Sequence, residues 1–181
     1  MPGIFTYFKF LLKSSSAHGV HSPFVYDLVS LCLRKKRKTA PIYKELTKPF
    51  PKVFRPKHIR ILNDIISYLE VKGYAHLCKS EHSIDKLPIT KLLPKVTNSI
   101  ADFIYTPQEN FNHHHANQLL KELKTNAVLV IENPYNNIAV WENLKKNPKA
   151  HVIVDTYFFG LVFNRKQQAK EHFYIRLKEL F

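Results

Sequence analysis

At 181 residues, with 45% apolar and 13% aromatic side chains, the chain has the size and composition of one folded domain and falls outside the disordered class. Its net charge of +14 is concentrated rather than spread: residues 31–60 hold eleven Lys/Arg against the single acid Glu45. The two cysteines, Cys32 and Cys78, lie far apart in no CxxC spacing, which excludes a zinc ribbon or a disulfide framework and fits a reducing, cytoplasmic setting.

In chain order, Ile4 to Lys13 places Phe5, Phe8 and Leu12, with Ile4, Tyr7 and Leu11 beside them, on adjoining faces of a helix. Lys9 interrupts this apolar run, and neither a basic lead nor a small-residue cleavage site flanks it, so it does not read as a signal peptide. No run approaches the roughly 18 apolar residues of a membrane span. After the loop His18 to Pro23, Ser22 reads as an N-cap and Pro23 as the first position of a helix reaching Arg37. Its face Phe24, Leu28, Leu31 is apolar.

Four prolines among lysines between Thr39 and Pro56 predict an extended arm, so residues 1–55 divide into N-terminal helices and a basic arm. From Pro56 an amphipathic helix carries Ile59, Leu62, Ile65, Ile66 and Leu69, with Gly73 as its expected stop. Residues 56–181 then alternate: short apolar runs at Tyr74–Cys78, Ala101–Tyr105 and Ala127–Ile131 read as buried parallel strands, with helices at about 110–123 and 136–146. His151–Thr156 and Leu161–Asn164 read as two adjacent strands about a turn near Gly160. The expected fold is α/β, a mostly parallel Rossmann-like sheet with helices on both faces, in one compact unit with the N-terminal helices.

Glu132-Asn-Pro, Trp141-Glu-Asn-Leu-Lys-Lys-Asn-Pro148 and above all Val154-Asp-Thr-Tyr-Phe-Phe-Gly-Leu-Val-Phe163, continuing to Phe173, resemble a bacterial subgroup of class I S-adenosylmethionine-dependent methyltransferases. Tyr7-Phe-Lys-Phe-Leu-Leu-Lys13 and His18-Gly-Val-His-Ser-Pro-Phe-Val-Tyr-Asp-Leu-Val29 resemble the leader of that subgroup. The resemblance implies a methyltransferase-type sheet whose last two strands form its antiparallel edge, and S-adenosylmethionine as the cofactor of an active member.

The middle of the chain departs from that pattern. The segment Tyr74-Ala-His-Leu-Cys-Lys-Ser-Glu-His-Ser83 contains no glycine where the family's first strand leads into a glycine-rich cofactor turn, so Cys78, Lys79, Ser80 and Ser83 form a degenerate loop. Only residues 79–100 separate the first strand from the next, too few for the roughly 30 residues of a strand-helix-strand unit, which predicts a reduced strand number. Loss of strands predicts an exposed sheet edge, covered by the N-terminal helices. The expectation is a pseudoenzyme that binds no cofactor and acts as an interaction or scaffold protein, through a protein partner or a homodimer. The alternatives are an active methyltransferase with an altered pocket and a nucleic-acid-binding module.

The residues that carry these alternatives are few. Glu132 and Asn133 stand where metal-using members hold a cation, but the matching position after the preceding strand is Thr106 or Pro107, an incomplete set for a hard cation, and no metal is expected. Asp155 would be an inward carboxylate that needs a buried partner, with a catalytic role as the competing view. His113, His114 and His115 point about 100° apart on a helix and cannot converge on one ion. His18 and His21 fit loop ordering. Arg34, Lys35, Lys36, Arg37 and Lys38, with Tyr43, Phe50 and Phe54 beyond them, are the candidate anion-binding set for nucleic acid or an anionic lipid surface.

Overall fold

The structure is a computed structural model that describes residues 4–15, 19–34, 56–76, 93–98 and 100–177. The arm up to residue 55, Lys35–Lys38, His18 and the loop residues Cys78, Lys79, Ser80 and Ser83 lie outside the described residues.

The elements are α1 (Ile4–Lys13), α2 (Pro23–Asp27), α3 (Pro56–Tyr68), β1 (Tyr74–His76), β2 (Phe103–Thr106), α4 (His113–Glu122), β3 (Val128–Glu132), α5 (Ile138–Lys146), β4 (Val152–Asp155), β5 (Phe159–Phe163) and β6 (Glu171–Tyr174). The strands form one mixed sheet in the order β1-β2-β3-β5-β4-β6. Only β5 runs against its neighbours, so β1, β2, β3, β4 and β6 end at a common carboxyl edge. An α/β architecture with a mostly parallel sheet is therefore as expected.

Both sheet faces are covered. Tyr74, Phe103, Tyr105, Val128, Val130, Val152 and Val154 pack with α2 and α3, while Ala75, Ile104, Leu129, Ile131, Ile153 and Val162 face α1, α4 and α5. This explains the unbroken apolar run of β3, whose residues are all buried: a strand covered on both sides has no solvent face to make polar.

Local signals set several boundaries. Ser22 caps α2 by accepting from the Val25 N–H, and Pro23 occupies the first turn as expected. The helix then widens into a π-helical segment, Leu28–Leu33, closed by the Arg34 N–H donating five residues back to the Val29 carbonyl. Asn112 caps α4 through the His115 N–H.

Four expectations are corrected. Gly73 does not stop α3: Glu70, at φ 50°, takes the left-handed position, with its N–H on the Ser67 carbonyl and the Val71 N–H on the Ile66 carbonyl. That is the hydrogen-bond pattern with which a glycine usually ends a helix. Gly160 is not in a turn but inside β5; the turn is Thr156 to Phe158, where Tyr157 stands at φ 71°. The β4/β5 hairpin does not form the sheet's edge, because β6 pairs parallel to β4 outside it. Among the described residues, the N-terminal helices do not cover the β1 edge. There Tyr74 pairs with Lys95, its N–H donating to the Pro94 carbonyl, while α1 lies at the other end of the sheet, tied by Ser15 to Tyr174 and Ile175.

Among the described residues no helix is long and apolar enough to cross a membrane.

Candidate functional site

In open α/β sheets ligands bind outside the carboxyl ends of the strands. Here that edge carries His76 from β1, Thr106 from β2, Glu132 from β3, Asp155 from β4 and Tyr174 from β6. The sheet divides them into two clusters by side-chain alternation, since residues two apart share a face.

The first cluster faces α3. Glu132 is 3% exposed and accepts a 2.8 Å hydrogen bond from the Tyr105 hydroxyl, across the β2/β3 pairing. Burial pushes the Glu132 carboxyl above its ordinary value, aided by the charge of Glu109 and opposed by the bonds from Tyr105 and the Gln108 backbone. Asn133 follows in a left-handed conformation, φ 43°, which asparagine tolerates. Its amide donates to Gln108 Oε1 at 3.1 Å and its N–H to the Phe158 carbonyl at 2.8 Å. The His58 ring, early in α3, lies tilted 5.4 Å from the Phe158 ring and edge-on 5.2 Å from the Phe159 ring, so α3 begins at this same edge.

The second cluster faces α1 and α5. Asp155 is fully buried. Its Oδ2 accepts from the Tyr135 hydroxyl at 2.7 Å and from Trp141 Nε1 at 3.0 Å, and its Oδ1 accepts from the Tyr157 N–H at 2.9 Å. His172 Nε2 stands 3.9 Å from Oδ2. Burial and the nearby carboxylate push the Tyr135 phenol far up, so it remains a donor, and raise Tyr174 to about 12. Tyr7, Phe10, Tyr135, Tyr157 and Tyr174 close an aromatic shell over the carboxylate, with Tyr135 and Tyr157 stacked at 4.9 Å. Asp155 has the buried partners the sequence required of it, and they leave its two oxygens committed.

The predicted site residues are thus split. Glu132 and Asn133 sit together; Asp155 projects from the opposite face. Thr106, on the latter face, is fully buried, and its hydroxyl has no hydrogen-bond partner. Of the histidine run, His113 and His114 are exposed, while the His115 ring bonds Asn112 and the Asn110 carbonyl. His21 is exposed, and Arg34 is half-buried at the end of the π-helical segment.

Sequence reasoning missed Tyr105, Tyr135, Trp141 and His172. Tyrosines at the ends of apolar strands were the available signal, because a buried phenol needs an acceptor and the nearest strand ends supply carboxylates.

A cavity of about 890 Å³ lies at the opposite, amino edge of the strands, between Tyr68, Lys72, Asp102, Lys124, Asn126 and Arg165. Two of its charged groups engage each other: Lys124 pairs with Asp102, whose carboxylate also accepts from the Lys72 backbone N–H at 3.0 Å. Burial raises the Asp102 carboxyl, but the bonds from Lys124 and Lys72 outweigh it and hold the group below its usual value. Arg165 stacks 3.9 Å over the Phe24 ring. Size alone does not make this the site, since its position is opposite to the edge where this sheet type recruits ligands.

No family model matches the chain, and no curated protein or solved structure matches it.

Proposed function

We propose that the chain is a methyltransferase-like α/β domain that retains the sheet, does not bind S-adenosylmethionine and works as an interaction domain. The observation that carries this reading is the Tyr105–Glu132 pair. Two polar side chains at the carboxyl ends of adjacent parallel strands are buried and bonded to each other, so they fill the edge instead of lining a cleft. A methyltransferase needs backbone and side chains at that edge to be free for the ribose and the amino-acid end of its cofactor. The segment Tyr74 to Ser83 points the same way, because it contains no glycine and a cofactor turn of that family needs one for close backbone approach. The strand order, with the antiparallel β5 inserted between β3 and β4, supports the likeness to the methyltransferase sheet. An outward apolar face on α1 supports the interaction role.

Titration calorimetry of the purified full chain with S-adenosylmethionine tests the proposal. The expected result is no saturable heat. Saturable binding in the micromolar range overturns it in favour of an active methyltransferase with an altered pocket.

A further inference from the structure

Ten residues of α1 contain no acid, and they are apolar on two opposite sides. At about 100° per residue, Phe10 points into the core, with Tyr7 and Leu11 at the margin. Ile4, Phe5, Phe8 and Leu12 occupy the arc diametrically opposite and are 67%, 79%, 55% and 88% exposed. Surface helices of water-facing proteins place polar residues on that arc; a helix with a second apolar face needs an apolar medium on that side as well.

The helix is held so that this face is presented outward. Phe10 packs against Tyr135, Tyr157 and Tyr174, and the Ser15 N–H donates to the Tyr174 carbonyl at 2.8 Å. Ile138, 49% exposed, extends the patch from the start of α5, and a cavity of about 160 Å³ lined by both Phe5 and Ile138 joins the two.

Charge decides between occupants. Lys9 and Lys13 are exposed along one flank of the apolar arc, and the chain carries +14 overall. Glu142, the carboxylate lining the adjoining cavity, is already paired with Lys145. Apposing the α1 faces of two copies brings no acidic partner to Lys9 or Lys13, since α1 holds no acid and Glu142 is already paired. An anionic phospholipid surface instead receives the phenylalanine and leucine side chains below its headgroups, while the lysines extend to the phosphates.

We propose that α1 docks the protein flat on anionic phospholipid membranes through Ile4, Phe5, Phe8 and Leu12, with Lys9 and Lys13 engaging the headgroups. This names the partner of the interaction domain proposed above and rests on that reading's use of α1, not on the loss of the cofactor.

Co-sedimentation of the full chain with phosphatidylcholine vesicles, with and without phosphatidylserine, provides the test, alongside the double variant Phe5→Ser, Leu12→Ser. Both side chains are exposed, so an unchanged melting temperature verifies that the variant is folded. The wild type is expected to sediment with phosphatidylserine vesicles and not with pure phosphatidylcholine, and the variant to bind roughly tenfold or more weakly. Equal retention of variant and wild type overturns the proposal, because the basic window alone would then account for binding. Absence of wild-type retention on either vesicle overturns it too, as does a light-scattering dimer that the double variant dissociates. Calorimetry with S-adenosylmethionine leaves this outcome untouched, so the two proposals fail separately.

Discussion

Gly160 lies directly beneath the Trp141 indole: a Cβ built on the glycine would stand 2.5 Å from Trp141 Cη2. The glycine serves the close approach of a fully buried ring, not a turn. Gly160→Ala is expected to destabilise the fold by about 1–3 kcal/mol through overpacking. In a Trp141→Phe background the same change should cost less, and urea unfolding of the four proteins in the double-mutant cycle measures the difference.

Asp155 holds Tyr135, Trp141 and the Tyr157 backbone together beneath α1 and α5. Asp155→Ala leaves a buried phenol and a buried indole N–H without their acceptor and should cost about 3–5 kcal/mol. Asp155→Asn keeps one acceptor oxygen and should cost less. Near-ultraviolet circular dichroism checks the cause, since the Tyr135–Tyr157 stack should loosen in the alanine variant first.

The stretch Asp155 to Gly160 shows what a sequence conveys and what it withholds. Strands β2 to β5 were readable as apolar runs, because a sheet covered on both faces makes its strands continuously hydrophobic. The turn between β4 and β5 was misplaced by taking Gly160 as punctuation. The chain instead turns at Thr156 to Phe158, where the Thr156 hydroxyl bonds Phe159 and the non-glycine Tyr157 bears the positive φ. Strand β6 was missed for a related reason: Glu171-His-Phe-Tyr174 is only half-buried throughout and lacks the apolar run of its neighbours.

Glu132 should impose a pH dependence on stability. Its carboxyl titrates at higher pH in the folded chain than in the unfolded one, chiefly through burial. The folded state therefore retains a proton that the unfolded state has released, and stability falls as pH rises from the ordinary carboxyl range through the raised folded value. Glu132→Gln, which can still accept from Tyr105, removes this loss. The variant should match the wild type at the acid end of that window and exceed it at neutral pH in parallel thermal melts.

Glu70 occupies a left-handed helix-ending position that glycine adopts without strain. Glu70→Gly should stabilise the protein by about 0.5–1 kcal/mol, reduced by the greater freedom of glycine in the unfolded chain. An unchanged or lower midpoint in urea would show that the strain at Glu70 is smaller than its φ implies.

The candidate site was legible only as single residues. Glu132 and Asn133 were picked out through the resemblance to metal-using members and Asp155 as an inward strand carboxylate, yet which of them share a face depends on register. Glu132 and Asp155 fall on opposite faces because β5 lies between their strands and sets the alternation of each. Their partners come from residues 27 and 20 positions away, Tyr105 and Tyr135, and no local pattern links them.

The bond between Ser15 and Tyr174 joins the two ends of the described chain. During synthesis, at about 5–20 residues per second, α1 emerges roughly ten seconds or more before the strand that anchors it. Throughout that interval both of its apolar sides face the surroundings. Only completion of β6, which supplies the Tyr174 carbonyl to Ser15 and the Tyr174 ring to Phe10, turns one side inward.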